Sequence, residues 1–168
     1  MYELRNLAIA NWHNFDPQDI PFGRMTAIIG ENKSGKSTLL DALQVALLGN
    51  HGGLVRLNKA ANESKKQSSR TVKQYCLGTL QPGHPPLRPD ATTWIVLHFR
   101  EDQVNHDVSI AVCLEAVRND TRKEKTNYLI ASGLAVTKDD LVQTTVDDEG
   151  DDAEEILGWE AVTRRLQA

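Results

Sequence analysis

The chain has 168 residues, 40% of them hydrophobic and 25% charged, with a formal net charge of −4. That is the profile of an ordinary soluble domain able to bury one core, and the negative balance argues against a wholly nucleic-acid-coated protein. The two cysteines, Cys76 and Cys113, make no disulfide framework and fit a reducing cytosol; the absence of a signal pattern or membrane-length apolar run points to a cytoplasmic chain with no membrane partner.

In chain order, residues 4–12 alternate as a strand, with Leu7 and Ile9 on one face and Ala8, Ala10 and Trp12 on the other. Residues 14–23 contain Asp16-Pro17 and Ile20-Pro21 and read as turn or irregular edge. Met25-Thr26-Ala27-Ile28-Ile29 is a short apolar run that predicts a buried strand. It leads into Gly30-Glu31-Asn32-Lys33-Ser34-Gly35-Lys36-Ser37-Thr38, which fits G-x-x-x-x-G-K-[ST]. Residues 37–48 then predict a buried helix of about three turns, stopped at Gly49-Asn50.

Strand, glycine loop and helix is the order that phosphate-binding chemistry needs. Gly30 and Gly35 permit backbone turns that a side chain would block. The loop N–H groups and the helix N-terminus converge on one point and favour an anion. Lys36 is expected to reach the β- and γ-phosphates of ATP, Ser37 to bind Mg²⁺, and Thr38 to donate to the α-phosphate.

Residues 50–89 carry seven Lys or Arg (Arg56, Lys59, Lys65, Lys66, Arg70, Lys73 and Arg88) and one acid, Glu63, a net of +6 that leaves −10 for the rest. Residues 50–93 thus read as a basic, partly mobile insertion: either a solvated surface or a patch facing nucleic-acid phosphates. Three strands are expected around 94–99, 108–117 and 128–132, joined by polar turns that favour antiparallel hairpins. Thr137-Lys138-Asp139-Asp140 has the spacing of an acidic capping box. Residues 147–155 read as an acidic loop and the first turn of a last helix, over 153–168. In it Ile156, Trp159, Val162 and Leu166 recur at helical spacing, as a packed stripe or the base of a coiled coil.

The sequence lacks an apolar run ending in Asp-Glu, and lacks a Leu-Ser-Gly-Gly motif. Ile110-Ala111-Val112-Cys113-Leu114-Glu115 has no Asp, and Val146-Asp147-Asp148-Glu149 follows polar Gln143-Thr144-Thr145. The chain therefore reads as half of a nucleotide-binding machine, with no catalytic residue of its own.

Asn11-Trp12-His13-Asn14-Phe15, followed by the phosphate loop and Leu39-Leu40-Asp41-Ala42-Leu43-Gln44, resembles the N-terminal head segment of SMC-type ATPases. The Asn-Trp-x-x-Phe turn is similar to that of the bacterial condensin branch, the MukB, MksB and JetC (Wadjet) proteins, and Arg56-Leu57-Asn58-Lys59-Ala60-Ala61-Asn62 followed by Arg70-Thr71-Val72-Lys73-Gln74-Tyr75 resembles the JetC/MksB kind most. The resemblance implies an α/β P-loop NTPase fold: the N-terminal lobe of an ABC/SMC-type head, with a mixed β-sheet around the phosphate-loop helix and an antiparallel portion. It implies ATP and Mg²⁺ as cofactors and hydrolysis only after union with the C-terminal half of the head in the same protein. It further implies a second SMC copy, a kleisin, a small winged-helix subunit and double-stranded DNA as partners, a nucleoid-associated location, and DNA loop extrusion or entrapment, in plasmid defence or chromosome segregation. Carried onto this chain, residues 30–38 hold ATP, with Ser37 on the metal. Trp12, His13 and Phe15 lie near the adenine or ribose unless they pack the core. Arg56 sits near both nucleotide and DNA, and Lys59, Lys65, Lys66, Arg70 and Lys73 face DNA. A Mg²⁺-contacting glutamine is expected among Gln74, Gln103 and Gln143. Rival readings are a DNA-repair SMC-like ATPase working with a nuclease, a RecF-like loader, and a stand-alone module that binds nucleotide without hydrolysing it.

Overall fold

The computed structural model describes residues 1–49, 54–57, 70–79, 84–146 and 150–168. Its frame is a five-stranded sheet, β2-β1-β3-β4-β5, made of β1 (Glu3–Ala10), β2 (Gln18–Pro21), β3 (Asp90–Glu101), β4 (His106–Val117) and β5 (Lys125–Ser132). Every pairing in it is antiparallel. The expected hairpins β3–β4 and β4–β5 are present, because each polar turn joins two apolar runs too close in sequence for a crossover. The expected mixed sheet is corrected to an antiparallel one among the described residues.

Both faces of the sheet are covered. On one, Leu7, Ile9, Ile95, Leu97, Val112 and Leu114 pack under α1 (Lys36–Leu48) and α2 (Val72–Cys76). On the other, Ala8, Ala10, Trp94, Val96, Ala111 and Cys113 pack under Leu141, Leu157 and Val162. These last come from α3 (Lys138–Leu141) and the segment ending in α4 (Trp159–Leu166). The double burial explains why β3 and β4 read as nearly continuous apolar runs instead of alternating ones.

Helix α3 begins at the expected Thr137, whose N–H donates to Asp140 Oδ2 at 2.8 Å. The acidic stretch after it is corrected. Residues 152–156 form a strand, β7 (Asp152–Ile156), paired antiparallel with β6 (Val142–Val146). Neither strand has the apolar alternation that signals one, because this small ribbon is mostly exposed. The last helix starts only at Trp159. Its stripe packs on the domain: Val162 is fully buried, and Trp159 stacks on Trp94 with centroids 5.9 Å apart. Trp94 in turn donates its indole N–H to the Leu157 carbonyl at 2.8 Å.

Two further departures shape the site. Trp12 leaves the face of Ala8 and Ala10 and joins Leu7 and Ile9 in the core beneath α1. The cause is Asn11, whose φ of 55° breaks the strand's two-residue alternation. Residues 25–29, expected as a buried strand, join no strand, and Met25 and Ile29 are 95% and 91% exposed. Part of the basic segment belongs to the core: Val72, Tyr75 and Cys76 of α2 are buried, so 50–93 is not merely an insertion.

Candidate nucleotide site

The phosphate loop runs from residue 30 into α1. Gly35 caps the helix with φ 93° and ψ 2°, and no side chain caps it. No acid lies in the first turn. The orphan N–H groups that every helix leaves at its start are therefore not satisfied by a side-chain cap, beside the positive end of a 13-residue helix. The Lys36 ammonium bridges back over the loop, donating to the carbonyl oxygens of Gly30 at 2.7 Å and Glu31 at 2.5 Å. Ser34 N–H donates to Glu31 O at 3.3 Å, and Lys33 takes a left-handed φ of 71° to complete the turn. Ser37 is exposed at the second helical position, while Thr38 is buried.

These features fit a nucleotide triphosphate and Mg²⁺. Backbone donors, a lysine ammonium and a serine hydroxyl make a donor set for phosphate oxygens and a hard cation. The glycines keep the cradle open: a β-carbon on Gly35 would come within 2.7 Å of Phe15 Cζ, and one on Gly30 within 2.6 Å of Ser34 Oγ. Bound there, the metal would neutralise phosphate charge; the loop's own part is to hold and orient the phosphates.

Beneath the loop lies a pedestal of aromatic side chains. Trp12 has 0% exposure, stacks on Tyr75 with centroids 4.6 Å apart, and donates its indole N–H to Thr38 O at 2.8 Å. The Tyr75 hydroxyl donates to Asp41 Oδ2 on α1, and Gln44 Nε2 donates to Asp41 Oδ1 at 3.3 Å. Asp41 is itself fully buried. Burial, and then the Asp41 carboxylate, push the Tyr75 phenol well above its ordinary range, so it stays the donor of this pair. Buried thiols behave alike: Cys76 and Cys113 are each pushed up to about 12, chiefly by burial, and are not nucleophiles here.

The structure redistributes the other expected site residues. Trp12 has no surface to offer a nucleotide, so its role is support of α1, and Phe15 is a half-buried prop under Gly35. His13 is 8% exposed, and both ring nitrogens face protein groups, Asn14 and Arg70. Arg56 is exposed, and its backbone N–H donates to Gln44 Oε1 at 3.3 Å. Gln44 lies eight residues along α1 from Lys36, about 12 Å at 1.5 Å per residue. Arg70 turns inward, with Nη1 3.2 Å from His13 Nε2 and its guanidinium 5.6 Å from the centre of the Tyr75 ring. Lys73 donates to the carbonyl oxygens of Asp120 and Arg122 in the β4–β5 turn. Both cations expected on DNA are thus tied into the fold. Lys59, Lys65 and Lys66 lie outside the described residues, as do Asp147, Asp148 and Glu149 of the rejected acidic motif. Of the three glutamines, Gln74 closes the Thr71 capping box, Gln103 sits in the β3–β4 turn, and Gln143 Nε2 donates to Glu155 Oε2 at 2.7 Å.

Sequence reasoning missed Asp41, Tyr75 and Arg88 as parts of this assembly. The Arg88 guanidinium donates to His13 O at 2.8 Å. A buried Asp five residues after the loop lysine, on the inward face of an apolar helix, was the one legible signal, since such a carboxylate demands a donor.

Residues 4–64 match the family model described as the P-loop containing region of AAA domain. The match takes in β1, β2, the phosphate loop and α1, and agrees with the geometry: this is a P-loop segment suited to nucleotide binding. No curated protein sequence matches the chain. No described helix is long and apolar enough to cross a membrane.

Proposed function

We propose that this chain is the ATP-binding N-terminal half of an SMC-like ATPase head. In this reading a second polypeptide segment, the C-terminal half, completes the head, and ATP-driven engagement of two heads acts on double-stranded DNA together with a kleisin and a winged-helix subunit. The loop geometry supports the ATP part. The observation that carries the second segment is the run Met25-Thr26-Ala27-Ile28-Ile29: apolar and strand-like in composition, yet exposed at every position but half-buried Ile28 and making no backbone–backbone hydrogen bond among the described residues. An exposed apolar patch beside a functional loop marks an interaction surface. Leu40, Leu47 and Leu48 on one face of α1 are exposed as well, a second surface waiting for cover. A segment adding a strand beside residues 25–29 would bury this run, and it would also bring the acidic and signature motifs that the sequence lacks.

The DNA part rests on the resemblance and on the charge of residues 50–89. With Arg70 and Lys73 committed to the fold, the phosphate-facing role falls to Arg56, Lys59, Lys65 and Lys66. The test has two arms. The 168-residue chain by itself should bind ATP with Mg²⁺ and turn over almost none, because phosphoryl transfer needs parts from several elements at once; brisk turnover lost in Lys36→Ala would make it a complete enzyme and overturn the half-head reading. In the ATP-engaged complex, replacing Arg56, Lys59, Lys65 and Lys66 by Ala should flatten the salt dependence of duplex binding by roughly 0.9 for each DNA phosphate left without its cation. An unchanged slope would reduce this segment to solvated surface.

A further inference from the structure

The turn that props the phosphate loop contains two non-glycine residues in the left-handed region, Asn11 at φ 55° and His13 at φ 58°. Such backbone persists only where its surroundings over-determine it. At His13 they do. Its N–H donates to Tyr75 O at 2.8 Å, its carbonyl accepts from Arg88 at 2.8 Å, Nδ1 lies 2.7 Å from Asn14 Oδ1, and Nε2 lies 3.2 Å from Arg70 Nη1. A guanidinium can only donate, so Nε2 is the acceptor and the single ring proton sits on Nδ1, pointing at Asn14. Two residues on, Phe15 donates its N–H to Trp12 O at 3.0 Å and lays its ring against Gly35.

We propose that His13 and Arg70 form a latch that positions the phosphate loop: neutral His13 docks Arg70 on Nε2, and a proton on Nε2 expels Arg70 and frees the turn beneath Gly35. The inference rests on the nucleotide reading of that loop. Among the described residues, Arg70 and Arg88 act on His13 directly, and the other charged and titratable groups nearby act through them or through Tyr75. Arg70 comes from the residues before α2, Arg88 from those before β3 with Asp16 near it, and Tyr75 lies on α2 with Asp41 of α1 behind it. A proton added here enters a partly buried space between two guanidinium groups. Burial and then those two cations hold the imidazole below 6.5, against the opposing hydrogen-bond acceptors of Asn14 and the Thr79 backbone.

The sign separates this from simple attraction. An extra positive charge near bound phosphates should tighten nucleotide binding in acid; a released latch should weaken it. The test is the affinity of a fluorescent, non-hydrolysable ATP analogue with Mg²⁺, measured from about pH 7.5 down to about pH 5.5. It compares wild type, His13→Asn and Arg70→Gln, with the His13 ring followed by NMR. Asn tolerates left-handed backbone and does not titrate. Gln can either donate to neutral Nε2 or accept from protonated Nε2, so it keeps the latch in both states. Protonation of the nucleotide itself is common to all three proteins and cancels in ratios. We expect wild-type affinity to fall in acid by about three- to tenfold relative to His13→Asn, one pKa unit of coupling being tenfold. In Arg70→Gln we expect a raised His13 titration midpoint with no acid loss of affinity. Wild-type affinity that runs parallel to His13→Asn, or that rises in acid, overturns the latch, as does an acid loss retained in Arg70→Gln. If His13→Asn does not fold, the Arg70→Gln comparison decides alone. Wild-type protein that binds no analogue at any pH overturns the nucleotide reading and the latch together; binding that Lys36→Ala abolishes but acid does not alter overturns the latch only.

Discussion

Replacing Gly35 by Ala tests the loop where its geometry is least forgiving. At φ 93° an L-residue is strained whatever space surrounds it, by about 1–2 kcal/mol. The added methyl would also stand 2.7 Å from Phe15 Cζ and 3.2 Å from Cε2, on a ring whose backbone is held by its N–H bond to Trp12 O; overpacking of this kind costs about 1–3 kcal/mol. The sum is a loss of about 2–5 kcal/mol. Gly133 supplies the internal control, because its φ of 82° imposes a like backbone strain while nothing lies within 4 Å of its would-be β-carbon. Gly133→Ala should therefore lose only the backbone part. Urea unfolding gives both values, and their difference isolates contact with Phe15 at about 1–3 kcal/mol. Repeating the unfolding with ATP and Mg²⁺ at about 100 times the dissociation constant should add about 2.7 kcal/mol to wild type and to Gly133→Ala, and nearly nothing to Gly35→Ala. If Gly35→Ala loses no more than Gly133→Ala and still gains from ATP, then Phe15 does not prop the loop and the phosphates bind elsewhere.

Other substitutions probe the remaining parts. Lys36→Ala should weaken ATP binding by at least about tenfold, read by equilibrium dialysis, while its unfolding free energy stays within about 0.5 kcal/mol of wild type, because the ammonium contacts only loop carbonyls and Ser34. Tyr75→Phe takes the hydroxyl donor from the fully buried Asp41 carboxylate and should cost about 1.5–3 kcal/mol in urea unfolding; a loss below about 0.5 kcal/mol would mean that Asp41 is satisfied without it. Acid should destabilise the fold through His13. Its folded pKa lies below the unfolded 6.5, so the unfolded chain binds the proton first. The stabilisation is complete above 6.5 and is lost as pH falls from there toward the folded pKa; thermal melts of wild type should fall more steeply over that window than those of His13→Asn.

How legible each part was in the sequence follows from where its partners lie. The phosphate loop, α1, the two hairpins and the α3 start depend on neighbours within a few residues, and local pattern carries that information. The β6–β7 ribbon does not: only Val142 is buried among the residues of β6, and β7 is acidic, so its pairing leaves no apolar rhythm to read. Trp12 changed faces because one left-handed residue, Asn11, shifted the register by a step, and φ at a single asparagine is not written in hydrophobic periodicity. Arg70 and Lys73 read as part of a charge run. Their inward roles depend on His13, Tyr75 and the β4–β5 turn, up to 57 positions away in sequence, and charge counting cannot separate a cation held by carbonyls and rings from one facing solvent.

The run at 25–29 failed as a strand for the opposite reason: its composition was right, and no described strand pairs with it. A strand exists only through a neighbour that accepts its ladder, and none of the described strands lies beside it. This makes Met25→Gln with Ile29→Gln an informative pair. Met25 and Ile29 stand in water in this chain, at 95% and 91% exposure, so both changes together should alter its unfolding by no more than about 0.5 kcal/mol per site and leave ATP binding intact. On the half-head proposal the same side chains would be covered by a neighbouring segment. Losing two buried apolar side chains there should cost about 1.5–3 kcal/mol each, enough to cut association with the second segment by more than tenfold at each site. Native mass spectrometry of the assembled protein, with the unfolding of the 168-residue chain as control, reads both quantities. A large loss in the chain by itself would mean that residues 25–29 already pack within it. Unchanged assembly with unchanged stability would mean that no second segment docks on this run, and the half-head proposal would fall.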